Sequence, residues 1–121
     1  MEVNLYGEVF KITRIELNRY TADNTLAIQL YSFCPDYGGF EEPFATLTVC
    51  LNVQREDFEN DDDYEAYMKN NRSYLDSNNC PWGADFVKKY ELGKPTGYFQ
   101  ISGYCTYDLY EWDLDKLKQY E

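Results

Sequence analysis

Residues 43–52 alternate between larger apolar residues and small polar ones, and this pattern constrains the fold more than any other. Leu47, Val49 and Leu51 share one parity, while the positions between them hold Thr and Cys. Alternation with period 2, rich in β-branched residues, is typical of a strand. Because neither face carries a charge, we expect a central strand that is covered on both sides.

Two further strands are predicted before this segment. In residues 5–17 the apolar positions change parity near Thr13-Arg14, which indicates a β-bulge, and a shorter strand precedes them. Residues 25–31 place three apolar side chains on one face: Leu26, Ile28 and Leu30. A turn at Asp23-Asn24 joins the two strands into a hairpin. The first half is therefore predicted to be a three-stranded antiparallel meander, with Pro43 at the start of its third strand.

Helical spacing begins after residue 55. Tyr64, Tyr67 and Met68 follow an acidic run and lie at i, i+3 and i+4, with Asn60 as the predicted N-cap. The main predicted helix starts after Pro81 and has one apolar stripe: Trp82, Phe86, Val87 and Tyr90. We expect Gly93 to end it as a left-handed cap, and Pro95 to prevent its continuation.

The chain returns to strand character in residues 96–105, where Gly103 is predicted to mark a bulge or a close backbone approach. Residues 107–112 form another predicted strand with an exposed edge that pairs two copies weakly, and Asp113 is expected to cap a last short helix. The fold class is α+β, with residues 1–121 as a single domain. We expect an antiparallel sheet of four to five strands with one main helix packed on one face.

Several chemistries are excluded by the absence of histidine from the 121 residues. Catalysis by Ser-His-Asp or Cys-His arrangements and metal binding by imidazole both need this side chain. The four cysteines are far apart, at positions 34, 50, 80 and 105, without the paired spacing of a zinc site. We therefore predict no catalytic residues, no metal and no cofactor.

The formal net charge of −11 limits the partners. Such a surface repels phosphate, so we expect neither direct nucleic-acid binding nor a membrane surface as partner. The N-terminus lacks the basic and apolar regions of a signal peptide, so we predict a cytoplasmic protein with reduced thiols. Cys34 and Cys80 lie in predicted loops, and the sequence leaves open whether their thiols are exposed.

Candidate binding residues fall into two groups. Asp76, Asn78 and Asn79 concentrate polar groups before the main helix, either as a hydrogen-bonding site or, as the favoured alternative, as a turn and helix cap. Three aromatic residues are predicted to contact a protein partner: Tyr37, Trp82 and Tyr104. The chain has 13 tyrosines, which suit either a core with wet edges or a recognition surface.

Four strings of residues together resemble a family of small acidic bacterial proteins classed as a domain of unknown function. They are residues 26–28 (Leu-Ala-Ile), 43–49 (Pro-Phe-Ala-Thr-Leu-Thr-Val), 76–79 (Asp-Ser-Asn-Asn) and 102–107 (Ser-Gly-Tyr-Cys-Thr-Tyr). The resemblance implies a bacterial setting, often on mobile elements of gut bacteria. It implies no activity.

Three functions remain open. The first is a non-enzymatic intracellular protein-binding module, present as a monomer or a weak homodimer. The second is an acidic decoy that mimics DNA and inhibits a nucleic-acid enzyme, which the charge favours and the 11 basic residues oppose. The third is a carboxylate-based hydrolase, which requires a deep pocket lined by at least two acids.

Overall fold

Eight strands form two antiparallel sheets of four strands each in the computed structural model, which describes residues 1–34 and 39–121. The first sheet has the strand order β1-β2-β3-β4, and the second has the order β5-β6-β8-β7. The strands are β1 Glu2–Leu5, β2 Glu8–Arg19, β3 Leu26–Cys34, β4 Phe40–Thr46, β5 Thr48–Val49, β6 Arg72–Leu75, β7 Gly93–Ser102 and β8 Cys105–Trp112. The α+β class is confirmed, but the expected single sheet is wrong.

The first sheet is a meander of adjacent hairpins, as the sequence predicts. Strand β1 turns into β2 at Tyr6-Gly7, where both residues have positive φ (52° and 81°), as in the two-residue turns that suit the twist of a hairpin. The β2–β3 register shifts between Ile12 and Arg14, which confirms the predicted bulge. Asn24, in the connection between β2 and β3, has a φ of 59°, so the predicted turn is confirmed as well.

Residues 43–52 do not form one strand. The chain leaves the first sheet after Thr46 and enters the second at Thr48. Leu47 connects the sheets, because its N–H donates to Ile28 in β3 (2.9 Å) and its carbonyl accepts from the N–H of Asp76 after β6 (2.8 Å). Pro43 lies inside β4 rather than at the start of a strand, which is tolerated because β4 is an edge strand.

In the second sheet, β8 lies between β6 and β7 and is hydrogen-bonded to both. The expected exposed edge at residues 107–112 is therefore wrong, because β7 lies at that edge of the sheet and β5 at the opposite edge. Gly103 lies in the two-residue turn between β7 and β8, with a φ of 62°, and not at the predicted bulge or close backbone approach. The bulge falls earlier, between Pro95 and Phe99, where Gly97 has a φ of 92°.

Three short α-helices lie within the described residues: α1 Asp61–Tyr67, α2 Gly83–Lys89 and α3 Leu114–Lys118. A three-residue 3-10 helix, Arg55–Asp57, precedes α1. The predicted caps of α1 and α3 are confirmed, since Asn60 accepts from the N–H of Asp63 and Asp113 accepts from that of Lys116. A single main helix is not confirmed, because α2 has only seven residues, as α1 does. Gly93 is not the cap of α2; Glu91 takes the left-handed conformation, with a φ of 55°.

Within the described ranges, two apolar clusters hold the sheets and helices together. The larger one includes buried side chains from both sheets and from α2 and α3: Ile15, Ile28, Leu30, Leu47, Leu75, Phe86, Val87, Trp112 and Leu117 are among its members. The smaller one contains Tyr74, Tyr107 and Leu109, on the other face of β6 and β8, packed against residues 49–68. The centre of the second sheet is thus buried on both faces, whereas β7 lies at an edge of that sheet.

No helix within residues 1–34 and 39–121 is long and apolar enough to cross a membrane.

Candidate functional site

The predicted polar cluster after β6 is a structural turn. The Asp76 carboxylate is almost completely buried and accepts hydrogen bonds from the backbone N–H (3.2 Å) and the side-chain amide (2.9 Å) of Asn79. The backbone carbonyl of Asp76 accepts a hydrogen bond from the N–H of Cys80 at 2.8 Å. These bonds form a local turn between β6 and α2, which accounts for Asp76 and Asn79. They do not cap α2, whose N-cap is Trp82 without a side-chain hydrogen bond.

The other predicted binding residues do not form one site. Asn78 is exposed in the same turn, whereas Trp82 is half-buried and packs against the rings of Phe44 and Phe86, with centroids at 5.7 and 5.8 Å. Tyr104 is fully exposed at the β7–β8 turn, as a recognition residue would be. The prediction for Tyr37 lies outside the described residues.

Cys80 lies in a loop, as predicted, and its side chain is buried. Its exposed fraction is 3%, and burial raises the pKa of its thiol to about 11. A thiol with a raised pKa is a poor nucleophile near neutral pH. The exposure of Cys34, which the sequence leaves open, falls outside the part of the chain that the structure describes. Within that part, no group of three or more His, Cys, Asp or Glu side chains is arranged to hold a metal ion.

An exposed apolar surface lies on β7 and the turn that follows it. We call this surface, made of Tyr98, Phe99, Ile101 and Tyr104, the edge strip. Phe99 is 55% exposed and Ile101 is 68% exposed, and their shared parity places both side chains on one face of the sheet. Tyr98 points to the other face, where its ring packs against Tyr67 at 5.2 Å.

The backbone of β7 also has free hydrogen-bonding capacity along the edge strip. Ser102 and Cys105 close the two-residue turn, so this pair exchanges both backbone hydrogen bonds, and alternation gives Gln100 and Tyr107 the same arrangement. Phe99 and Ile101 are therefore the positions whose N–H and C=O groups point away from β8. Because β7 ends the sheet, no strand in the described ranges lies on that side.

A cleft of about 810 Å³ lies between α2 and the second sheet. Its apolar lining includes Val87, Pro95 and the stacked rings of Tyr110 and Trp112, with centroids 5.2 Å apart. Four acids and two lysines also line it: Asp85, Glu91, Glu111, Asp113, Lys88 and Lys94. Burial, with smaller contributions from the carboxylates of Asp108 and Asp85, raises the pKa of the Tyr110 phenol.

Two of the four cleft acids already have structural partners. The Arg72 guanidinium donates to the Glu111 carboxylate (3.3 Å), and the Asp113 carboxylate caps α3 (3.1 Å). Asp85 and Glu91 are exposed. The cleft therefore combines an aromatic wall with a rim of mixed charge.

A separate acidic surface covers the first part of α1 and the segment that precedes it. Its exposed acids are Glu56, Asp57, Glu59, Asp61, Asp62, Asp63 and Glu65. Arg55 lies among them and pairs with Asp61 at 3.0 Å. We call this surface the acidic segment.

Sequence reasoning identified the alternation of Phe99 and Ile101 but did not identify them as a binding surface. The signal that could have found them is charge: residues 95–107 contain none, in a chain with 27% charged residues. The uncharged segments 24–34 and 43–54 supply buried strand residues instead, such as Ile28 and Leu47. An uncharged strand that is exposed, as β7 is, needs an explanation other than burial in the core.

A family model described as Domain of unknown function (DUF4313) matches residues 14–121. The match starts inside β2 and includes the cleft, the acidic segment and the edge strip. No curated protein matches the chain, and no solved structure does.

Proposed function

The chain belongs to the family described as Domain of unknown function (DUF4313). Since this description names no activity, we propose a function from the geometry of the structure. The protein is a non-enzymatic protein-binding module. The observation that supports this proposal is the edge strip. It combines outward backbone groups at Phe99 and Ile101 with exposed apolar side chains at the same two positions. These are the two requirements for adding a strand to a sheet.

The partner is an extended peptide segment that pairs with β7. Its backbone continues the sheet, and its apolar side chains on the Phe99 face cover Phe99 and Ile101. Tyr104 at the turn adds an aromatic contact with a polar hydroxyl, which is common at protein interfaces. Residues 95–107 are uncharged, so apolar and backbone contacts dominate the binding and high salt does not abolish it.

The test is selection from a displayed library of random peptides against dilute protein. We expect enriched peptides with alternating apolar residues that bind the wild type and not the Ile101→Lys variant. The matched control is Val9→Lys, because Val9 is also an exposed apolar strand residue (57%) but lies on β2. Enriched peptides that bind Ile101→Lys as well as the wild type, or no enrichment at all, would contradict the proposal.

A second candidate, the acidic decoy of DNA, is favoured by the acidic segment. Seven of the 22 acids lie within residues 55–65, with Arg55 as the single basic residue in that range. The decoy requires that the protein inhibit a DNA-cleaving enzyme in a salt-dependent manner. Inhibition of a nuclease that is lost when Asp61, Asp62 and Asp63 are changed to Asn, and retained in Ile101→Lys, would favour the decoy over the binding module.

We do not propose a carboxylate-based hydrolase. The cleft has the acids that such an enzyme needs, but Glu111 is paired with Arg72 and Asp113 caps α3. The remaining two, Asp85 and Glu91, are exposed on the rim beside lysines. The bacterial, mobile-element setting and the cytoplasmic location stay predictions from the sequence.

A further inference from the structure

We propose that a second copy of this chain occupies the edge strip, with β7 of one copy pairing antiparallel to β7 of the other about a two-fold axis. This inference rests on the proposed function, because it names a partner for the same surface. In the absence of another protein, the resting state is then a homodimer with one continuous sheet of eight strands, four from each copy.

The sheet edges differ in how open they are to pairing with another strand. Exposed edge strands are usually kept from pairing by short length, charge or proline. Strand β1 has four residues including Glu2, β5 has two residues, and β4 carries Glu41, Glu42 and Pro43. Strand β7 has ten residues, with Lys94 and Pro95 confined to its start and neither a charge nor a proline from residue 96 to 102. Of the four edges within the described residues, β7 alone is left open to pairing.

Residues 99–101 of β7 are complementary to a second copy of themselves in an antiparallel pair. If Gln100 lies opposite Gln100 of the second copy, Phe99 lies opposite Ile101. Both are positions whose backbone groups point outward, so this register forms about four backbone hydrogen bonds across the axis. Phe99 and Ile101 also share a face, so an apolar side chain meets an apolar side chain at each of these pairs. The symmetric contact therefore covers the two exposed apolar residues on this face of the strand.

The distribution of charge also favours the edge strip as the contact between two copies. Each copy has a net charge of −11, so two copies repel each other through most surfaces. Asp108 is the acid closest in register to the strip, opposite Phe99 on β8. In the paired sheet the two Asp108 residues are three strand spacings apart across the sheet, roughly 14 Å, and are also offset by two residues along the strands. Their separation therefore exceeds the Debye length of about 8 Å at physiological salt. The uncharged edge strip is thus a surface on which two like-charged copies can meet.

Sedimentation equilibrium over a concentration series tests the inference. We expect the wild-type mass to rise from the chain mass of 14.4 kDa towards twice that value. Self-association should strengthen as NaCl is raised from about 50 to 500 mM, because salt screens the repulsion between the copies. The Ile101→Lys variant should dimerise at least about tenfold more weakly, because it places like charges near the axis. Val9→Lys should dimerise as the wild type does.

Phe99→Glu provides a second variant, and thermal unfolding checks that each variant is folded. A wild type that stays monomeric at every concentration and salt would overturn the second-copy inference and leave the peptide selection to decide the proposed function. A dimer that Ile101→Lys and Phe99→Glu leave unchanged would also overturn it, because the contact would lie elsewhere. Conversely, the wild type could dimerise, with Ile101→Lys weakening the dimer, while the peptide selection yields no binders. These two results together would support the second copy and count against binding of other proteins.

Discussion

At the scale of single residues, Gly93 illustrates how a position can be important for a reason that its neighbours in sequence do not reveal. The local pattern suits a helix cap, because Gly93 follows two lysines and precedes a proline by two positions. In the structure it begins β7 against the indole of Trp112, whose Nε1 donates to Ser73 Oγ at 2.7 Å. A Cβ at position 93 would lie 2.8 Å from the Glu111 carbonyl oxygen and 2.9 Å from Trp112 Cε3.

Gly93→Ala should therefore lower the free energy of unfolding by about 1–3 kcal/mol, since backbone and a buried ring must move to admit a methyl group. Urea denaturation measures the change. The control is Lys94→Ala at the exposed neighbouring position, which should change the free energy by less than about 0.5 kcal/mol. If both variants lost the same free energy, the close approach to Trp112 would not be the reason for glycine.

At the scale of elements, features with local causes are the ones that sequence reasoning predicts. Asn60 and Asp113 were identified as caps because a side chain three residues before a backbone N–H can accept from it without tertiary contacts. The change of sheet at Leu47 has distant causes, because its hydrogen bonds come from Ile28 and Asp76. Alternation extends across the change, so residues 43–52 resemble one strand although they belong to two sheets.

Asn60→Ala tests whether α1 depends on its cap. The Oδ1 atom of Asn60 accepts from the N–H of Asp63 at 2.9 Å, and its loss should cost about 1 kcal/mol. Circular dichroism with urea denaturation measures this change. Asn70→Ala is a suitable control, because Asn70 is exposed and its side chain makes no hydrogen bond within the described residues. An effect of Asn60→Ala no larger than that of the control would contradict the assigned cap.

At the scale of the whole molecule, several ionisable groups are kept neutral by burial. Burial raises the pKa of the phenols of Tyr20, Tyr74 and Tyr110, and raises that of the Cys80 thiol from 9.0 to about 11. The unfolded chain releases these protons at lower pH than the folded protein does. The stability that these groups contribute is therefore complete below pH 9 and is lost as the pH rises through the folded-state values.

The free energy of unfolding should therefore fall between pH 9 and 11, with about 2 kcal/mol of the loss due to Cys80. Urea denaturation at a series of pH values measures it. Cys80→Ala provides the comparison, since it should lose less stability over the same interval than the wild type. A free energy that stays constant through this interval would show that these groups are not buried as the structure has them.

The candidate binding surface was only partly predictable, because its position depends on the order of the strands in the whole sheet. Tyr104 was identified as an exposed recognition residue, and the alternation of Phe99 and Ile101 was identified as a strand. That this strand is an edge depends on the strand order β6-β8-β7, which requires β8 to insert between a strand 30 residues earlier and its own hairpin partner. No local pattern contains that order. The sequence therefore predicted the edge on β8 instead of β7.

The most direct test of the binding surface is amide hydrogen exchange at Phe99 and Ile101, whose N–H groups point away from β8. In dilute protein we expect both amides to exchange rapidly, while Gln100 exchanges slowly because it bonds inward to Tyr107. With a saturating selected peptide, or at concentrations where two copies pair, Phe99 and Ile101 should exchange at least about tenfold more slowly. Exchange rates at Phe99 and Ile101 that stay unchanged under both conditions would contradict the account, because binding would then not occur at the open edge of β7.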